Sequence, residues 1–238
     1  MKTLTSPSSQ EVLTVAPRLG DPRDHQTFYY RMTPFRAVVT YVVTRFFRLF
    51  MNLEVHGLEH FPMEGAVILA CNHVANFDVF PMQIALPRPI FFMGKAELFR
   101  FVPFGWVLRN LGAFPVYRGE KDAWAMMHAR RVLEHGAVLG MFPEGTRNKE
   151  RGLGVAKTGT ARLAIETGAP IAPMVVIGSD TFFAHFPHRN PVTVRLLPLI
   201  QPFPGETPLA LTDRLMFSMS AALPPDMRGV YAEIPRGF

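Results

Sequence analysis

The hydrophobic and polar positions follow a helical period near the start of the chain. Between Pro34 and about Asn52, polar residues recur at every fourth position, and most of the remaining surface is apolar. These polar positions are Arg36, Thr40, Thr44, Arg48 and Asn52. The pattern predicts an amphipathic helix, and the aromatic residues on its apolar side favour a helix that lies in a membrane interface. The alternative is a helix packed on its own domain, because amphipathicity does not choose the partner.

After this helix, short apolar runs alternate with segments of helical composition. The runs predict buried strands at Ala66–Cys71, Ile90–Met93, Gly112–Val116, Ala137–Phe142, Ile171–Ile177 and Val192–Leu197. The helical segments are Lys121–Glu134, Thr158–Thr167 and about Leu209–Ala222. This alternation predicts an α/β sandwich, in which helices cover both faces of a mostly parallel sheet. Functional side chains in such sheets tend to collect at the carboxyl ends of the strands.

Composition divides the chain into three parts. Residues 1–31 are rich in Ser, Thr, Pro and charge without a sustained period, which predicts a disordered or loosely ordered segment. Residues 32–54 hold the amphipathic helix, which we expect to associate with a membrane. Residues 55–238 hold the predicted strands, and 238 residues are enough for one sizeable core.

The chain is apolar and basic. Hydrophobic residues make up 48% and charged residues 18%, and the formal net charge of +6 favours anionic partners. Nucleic acid is not expected, because no basic stripe is interleaved with aromatic residues. No stretch approaches the roughly 20 apolar residues of a spanning helix. We therefore expect a peripheral protein on the cytoplasmic face of a membrane. The single cysteine, Cys71, is compatible with the reducing cytoplasm.

His73 and Asp78 form the first candidate site, directly after a predicted strand. A histidine can take a proton from a hydroxyl at neutral pH, and a carboxylate on its other ring nitrogen fixes the tautomer. A turn after the strand would bring the two side chains together across the four intervening residues. The alternative is a loop histidine beside an aspartate that only caps the next helix.

The segment Phe142–Arg147 forms the second candidate site. It combines a glycine turn, the Thr146 hydroxyl and the Arg147 guanidinium, which together can hold an anionic group such as a phosphate. Glu144 is expected to orient Arg147, Arg118 or the loop itself. Further basic residues that follow strands or lie in turns are Lys95, Arg118 and Lys157. Convergence of these cations on one cleft would supply the positive field that a phosphate needs.

Three other features are weaker candidates. Cys71 could accept an acyl group, but a cysteine within an apolar run is usually inert. Asp180, His185 and His188 form a loose cluster without zinc-binding spacing, which is typical of a loop. The aromatic stretch Phe99–Trp106 fits either contact with lipid headgroups or a place in the core.

The chain resembles the phospholipid acyltransferase family typified by bacterial 1-acyl-glycerol-3-phosphate acyltransferase. The resemblance runs from about Val55 to Val176. It rests on four blocks in the same order, which are Asn72–Asp78, Gly112–Arg118, Phe142–Arg147 and Ala169–Pro173. It implies the glycerol-3-phosphate acyltransferase-like αβ sandwich for the fold. The chain departs from the family pattern at Ala75, where many members have a serine, so no hydroxyl assistance is expected there.

The resemblance also implies roles for individual residues. His73 would be the general base and Asp78 the residue that orients it. The glycerol-phosphate part of the acceptor would be bound by Arg118, Glu144, Gly145 and Arg147, with Lys95 and Lys157 as supporting phosphate ligands. Backbone N–H groups near Gly145 are candidate donors to the oxyanion.

The function implied is transfer of a fatty acyl group from acyl-coenzyme A or acyl carrier protein to the hydroxyl of a lysophospholipid, foremost 1-acylglycerol-3-phosphate. This chemistry needs no metal and no cofactor. The alternatives are the same fold with glycerol-3-phosphate, another lysolipid or a glycolipid as acceptor, and a non-catalytic lipid-binding protein. A hydrolase is disfavoured because no Gly-x-Ser-x-Gly turn is present. The sequence carries no signal for an oligomeric state.

Overall fold

The computed structural model describes residues 12–13, 21–29, 33–75, 78–117, 122–148, 151–181 and 188–233. The strands are β1 (Val12–Leu13), β2 (Phe28–Tyr29), β3 (Met51–His56), β4 (Val67–Cys71), β5 (Ile90–Lys95), β6 (Ala113–Val116), β7 (Val138–Met141), β8 (Ile171–Ile177) and β9 (Asn190–Leu196). The α-helices are α1 (Pro34–Phe50), α2 (Val79–Ala85), α3 (Val102–Asn110), α4 (Ala123–Glu134), α5 (Gly159–Thr167) and α6 (Pro208–Ala222).

Strands β3 to β9 form one sheet of seven strands within the described residues, in the order β3-β9-β8-β4-β7-β5-β6. From β8 to β6 every neighbouring pair is parallel, whereas β9 runs antiparallel to β8 and parallel to β3. The predicted α/β sandwich with a mostly parallel sheet is confirmed. The carboxyl ends of the five parallel strands β8, β4, β7, β5 and β6 therefore lie side by side at one end of the sheet.

Alternate residues of the strands supply two cores, one on each face of the sheet. In β4, Ile68 and Ala70 pack with α4, α5 and α6, whereas Val67, Leu69 and Cys71 pack on the face that carries α1 and α2. All five residues are fully buried. Helices on both faces explain why this strand is one continuous apolar run rather than an alternating one.

Helix α1 is shorter than the sequence predicts. It begins after Thr33, whose side chain accepts a hydrogen bond from the Arg36 N–H, and it ends at Phe50. Residues 51–54, placed in the helical segment by the sequence pattern, belong to β3 and pair with β9. Met51 is buried and Asn52 exposed. Two residues of alternation at a helix end are too few to reveal the change from a helical period to a strand period.

The buried and exposed residues of α1 also differ from those that the predicted polar stripe implies. Arg36 is buried, although it belongs to the polar stripe: it donates a hydrogen bond to the Ile90 carbonyl and lies over the Phe91 ring. Phe47 is buried as well and stacks on Phe80 at 3.8 Å between ring centroids. Most of the apolar arc remains exposed.

We call the exposed hydrophobic side chains of α1 and of the segment around α3 the α1/α3 apolar surface. Its members are Phe35, Val38, Tyr41, Val42, Phe46, Leu49, Leu98, Phe101, Val102, Phe104 and Trp106. The two parts meet where the Phe35 and Trp106 rings lie 4.7 Å apart. Within Phe99–Trp106, only Phe99 among the aromatic residues is buried. In the described part of the chain, no helix is long and apolar enough to cross a membrane.

Residues 21–29, part of the segment expected to be loosely ordered, make tertiary contacts with α4. Arg23 is buried and forms ion pairs with Asp21 and Asp122, and its guanidinium lies over the Trp124 ring. Phe28 is buried against the same ring. Tertiary contacts of this kind leave no periodic signal in the sequence. Most of residues 1–20 lie outside the described part.

Candidate active site

Asn72 joins the end of β4 to the neighbouring strand β8. Its carboxamide donates to the Val176 carbonyl at 2.9 Å and accepts from the Val176 N–H at 2.8 Å. The side chain thus occupies the place of a further residue in the parallel ladder. Because Asn72 is buried, these two hydrogen bonds also satisfy its polar atoms. The next residue, His73, leaves the sheet at a defined position.

His73 and Asp78 are in direct contact. The His73 Nδ1 atom lies 2.8 Å from the Asp78 Oδ2 atom, and the Asp78 side chain is fully buried. The same oxygen accepts hydrogen bonds from the N–H groups of Val74 and Ala75, both at 2.9 Å. A carboxylate that accepts only assigns the proton to Nδ1, which leaves the Nε2 lone pair available as a base.

Asp78 precedes α2 at its N-cap position, but its side chain makes no capping hydrogen bond. It reaches back to residues that precede it. The alternative in which Asp78 only caps the next helix is therefore excluded by the geometry.

The loop after β7 holds His73 from the other side. The Phe142 ring stacks on the imidazole with 3.9 Å between centroids and 15° between planes. Glu144 Oε1 accepts a hydrogen bond from the His73 N–H at 3.0 Å, and the Asn148 N–H donates to the His73 carbonyl at 3.0 Å. Both main-chain groups of the histidine are thus tied to one neighbouring loop.

Glu144 is a buried carboxyl group whose two oxygens both accept main-chain hydrogen bonds. Besides the bond from His73, Oε2 accepts from the Gly154 N–H at 2.7 Å. Burial raises the pKa of Glu144; the hydrogen bonds from Gly154 and His73 lower it, and the nearby charge of Asp78 raises it. Glu144 therefore connects the loops after β4 and β7 with the segment before α5.

A cleft of about 210 Å³ lies at the carboxyl ends of β4, β7, β5 and β6, where the fold predicts it. Its lining residues are His73, Met93, Val116, Tyr117, Gly140, Met141, Phe142, Pro143, Gly145, Lys157, Gly159 and Thr160. The walls are mainly apolar. The ionisable residues that line the cleft are His73, Tyr117 and Lys157. The first turn of α5 borders the cleft, so the positive end of its dipole faces the same space.

Lys157 and Gly145 lie together in this cleft. The Lys157 N–H donates to the Pro143 carbonyl at 2.8 Å, which holds the segment before α5 against the glycine turn. Gly145 has φ of +69°, and a Cβ atom there would lie 3.2 Å from the Lys157 side chain. Its N–H donates to the Phe142 carbonyl at 2.9 Å. That N–H is used within the turn, so an oxyanion would need a different N–H group near Gly145.

Those of the remaining predicted residues that the structure describes do not line the cleft. Thr146 and Arg147 are exposed and do not line it. Lys95 does not line it either and forms an ion pair with Glu97 at 3.3 Å. Arg118 lies outside the described residues, directly after Tyr117 in the cleft wall.

The weaker candidates Cys71, Asp180 and His188, which the structure describes, do not line the cleft. Cys71 is fully buried, and burial raises the pKa of its thiol well above the ordinary value, which makes an acyl-cysteine intermediate unfavourable. Asp180 forms an ion pair with Arg151 at 2.6 Å, and His188 is exposed. His185 lies outside the described residues.

Sequence reasoning assigned no role to Asn72, Phe142 or Ser179. Asn72 pairs with β8, Phe142 stacks on His73, and Ser179 donates a hydrogen bond to Asp78. Asn72 and Phe142 adjoin the two motifs, and that proximity was an available signal. Ser179 lies about a hundred residues from Asp78, and nothing in the linear pattern connects the two.

Comparisons with known proteins agree with this arrangement. A family model described as Acyltransferase matches residues 52–177, just over half of the chain. The crystal structure of the 1-acyl-sn-glycerophosphate (LPA) acyltransferase PlsC from Thermotoga maritima superposes with a TM-score of 0.63 over 79% of each chain. Its sequence identity to this chain is 20%. The structural likeness establishes a shared fold, and the family match establishes that the chain belongs to the Acyltransferase family.

Several relatives carry the name 1-acyl-sn-glycerol-3-phosphate acyltransferase. The protein from Borreliella burgdorferi is 32% identical over 56% of this chain and 54% of its own length. The Bacillus subtilis protein is 31% identical over 55% and 65%, and the human alpha form is 30% identical over 71% and 62%. The matched regions thus span less than two thirds of these relatives.

Proposed function

We propose that this protein is a membrane-surface O-acyltransferase that esterifies a lysophospholipid, foremost 1-acylglycerol-3-phosphate, with an acyl group from a thioester. The observation that carries the proposal is the His73–Asp78 pair, 2.8 Å apart, opening onto a cleft that also contains Lys157. A base beside a cation suits an acceptor that carries both a hydroxyl and a phosphate. The names of the relatives support this choice of acceptor.

The reaction would proceed by general-base catalysis. The acceptor hydroxyl attacks the thioester carbonyl while His73 Nε2 takes its proton, and Asp78 stabilises the imidazolium that forms. When the tetrahedral intermediate collapses, the carbon–sulfur bond breaks and the imidazolium returns the proton to the leaving thiolate. The carrier of the thioester is coenzyme A or acyl carrier protein. Lys157 and the first turn of α5 would bind the phosphate of the acceptor.

The membrane enters the proposal through the α1/α3 apolar surface. Large contiguous apolar patches are rare on soluble monomers and indicate a partner. Arg45 and Arg48, both exposed on α1, add the cationic side chains that an anionic bilayer attracts. A lipid acceptor and an apolar surface on one molecule fit catalysis at the bilayer surface.

The test is an acyl-transfer assay with lysophosphatidate in vesicles, using acyl-coenzyme A and acyl carrier protein as alternative donors. Both thiol release and phosphatidate formation are measured. His73→Ala should lower kcat by roughly 10²–10⁴-fold, the range that general-base catalysis supplies, with little change in acceptor affinity. His56→Ala is the control, because His56 is exposed and distant in sequence from both motifs.

Three results would reject parts of the proposal. Retention of more than about a tenth of kcat by His73→Ala would reject the base assignment. Thiol release accompanied by free fatty acid would indicate a hydrolase. Vesicle binding without any thioester-dependent product, across acceptors with and without phosphate, would indicate a lipid-binding protein instead.

A further inference from the structure

Asp78 has a second partner on the carboxylate oxygen that His73 does not use. The Ser179 hydroxyl donates a hydrogen bond to Asp78 Oδ1 at 2.5 Å. Both side chains are buried, with 1% of Ser179 and none of Asp78 exposed. Oδ2 serves His73 and two main-chain N–H groups, and the serine is the donor that the described residues offer to Oδ1. Two further titratable groups interact electrostatically with this carboxylate, the Glu144 carboxyl and the Cys71 thiol.

The position of Ser179 is fixed independently of the loop that carries His73. It follows β8, and the preceding Gly178 has φ of +88°, where a Cβ atom would collide with the Pro191 carbonyl. The Gly178 carbonyl accepts hydrogen bonds from Asn190 at 2.5 Å and from Thr181 at 3.1 Å. Strands β8 and β9 therefore place the serine hydroxyl beneath the carboxylate.

A buried carboxylate without sufficient donors is strongly unfavourable, so each donor affects its orientation. Hydrogen bonds from a hydroxyl to a carboxylate at 2.5–2.7 Å are among the stronger ones in proteins. Without the Ser179 donor, Oδ1 would have no partner among the described groups. The carboxylate could then rotate away from the plane in which it meets His73 Nδ1.

We propose that Ser179 is a positioning residue for the acyl transfer, because its hydroxyl holds Asp78 in the orientation that aligns the His73 imidazole. The inference rests on the proposed function, since it concerns the rate of that reaction. Ser179 does not line the cleft, so it would act through Asp78 alone.

The test compares Ser179→Ala with a matched serine elsewhere in the core. Outer partners of catalytic or metal-bound side chains typically contribute about 10–100-fold, so kcat should fall by at least about tenfold. The KM values for acceptor and donor should stay within about twofold of wild type. Ser220→Ala is the control, because Ser220 is also buried and donates a hydrogen bond, at 2.7 Å to the Tyr231 carbonyl. It should lower the Tm by a similar amount and leave kcat unchanged.

A double-mutant cycle separates positioning from general stability. If Ser179 acts through Asp78, then Ser179→Ala should change kcat by less than about twofold when Asp78 is already replaced by Asn. Ser179→Cys provides a second variant of nearly the same size with a weak donor. Its kcat should lie between those of wild type and Ser179→Ala, and it keeps the test valid if the alanine variant does not fold.

Three outcomes would overturn the inference. They are full kcat in Ser179→Ala or Ser179→Cys, an equal loss of kcat in the wild-type and Asp78→Asn backgrounds, and an equal loss of kcat in Ser220→Ala. An inactive wild-type protein would instead reject the proposed function, and this inference with it. An active wild type that needs His73 but tolerates the loss of Ser179 would reject this inference alone.

Discussion

Individual side chains around His73 depend on main-chain partners as much as on each other. Asn72 pairs with Val176, and Glu144 with the N–H groups of His73 and Gly154. Such contacts cost little flexibility, because one partner already belongs to a strand or a tight turn. They hold the imidazole within a small range of positions, which general-base catalysis requires. The Lys157 side chain, by contrast, is exposed.

Replacement of Lys157 by Met should weaken binding of the phosphorylated acceptor. A hydrogen bond to a charged group is worth about 1.5–3 kcal/mol, so the KM for lysophosphatidate should rise by about tenfold or more. The kcat should change little, because Lys157 is not placed to transfer the proton. The measurement is steady-state kinetics with lysophosphatidate and with a monoacylglycerol that lacks the phosphate, whose KM should not change.

The matched control for this variant is Arg130→Met. It removes one positive charge as well, but from a surface ion pair with Glu166 on α5. An equal rise in KM for both variants would show that net charge, rather than Lys157 itself, governs acceptor binding.

Among the helices, α1 has an unusual balance of buried and exposed side chains. Its two buried residues are Arg36, which donates to the Ile90 carbonyl of β5, and Phe47, which stacks on Phe80 of α2. Burial lowers the pKa of Arg36 to about 10, and the described residues include no ion-pair partner for it. A helix held by so few buried side chains leaves its apolar face available to another partner. The bilayer is the partner that the proposed function requires.

Replacement of Val42 and Leu49 together by Glu should reduce binding to vesicles that contain anionic phospholipid. The two side chains are 59% and 63% exposed, so the free protein should keep its fold. Burial of each in lipid would contribute about 1.5–3 kcal/mol, and the vesicle affinity should fall at least about tenfold. Co-sedimentation with vesicles measures the effect.

Leu209→Glu with Val230→Glu is the control for this prediction. Both residues are 63% exposed, and Leu209 belongs to α6, which packs on the opposite face of the sheet. A comparable loss of binding in the control, or no loss in the α1 variant, would contradict docking through the α1/α3 apolar surface.

At the scale of the whole molecule, residues 21–29 near the start of the chain pack against α4. Arg23 and Phe28 contact Trp124, and the buried His128 lies among the rings of Phe28, Trp124 and Phe114. Burial, together with the nearby charges of Arg131 and Arg23, lowers the pKa of His128 to about 3. The fold therefore contains His128 in its neutral form.

Acid should destabilise the protein partly through His128. The folded-state pKa lies below the ordinary value of 6.5, so the folded form binds fewer protons than the unfolded form between these pH values. The contribution of neutral His128 to the free energy of unfolding is then complete above about pH 6.5, and it is lost as the pH falls towards about 3. The slope is at most about 1.4 kcal/mol per pH unit. Chemical denaturation at several pH values should show a smaller slope for His128→Leu than for wild type.

His56→Leu serves as the control, because that histidine is exposed. It should leave the pH dependence of the unfolding free energy unchanged. The same slope in His128→Leu and wild type would assign the acid sensitivity to other groups.

Much of this architecture follows from the linear pattern. Six strands and four helices were predicted near their observed positions, because each leaves a periodic or continuous apolar signal in the sequence. His73 and Asp78 were recognised because five residues of separation let local geometry bring them together. Helices α2 and α3 were missed: α2 has only seven residues, and α3 overlaps the aromatic stretch Phe99–Trp106, which was interpreted only as a lipid contact or a core segment.

The sequence by itself determined the fold class, the His73–Asp78 pair and the Acyltransferase family, because these depend on local spacing and on motif order. Only the tertiary structure decided that Ser179 meets Asp78, that Glu144 braces the base and that Arg36 is buried. It also separated Lys157, which lines the cleft, from Arg147 and Lys95, which do not. Contacts between residues far apart in the chain depend on how strands are ordered in the sheet, and no local pattern of hydrophobic and polar residues encodes that order.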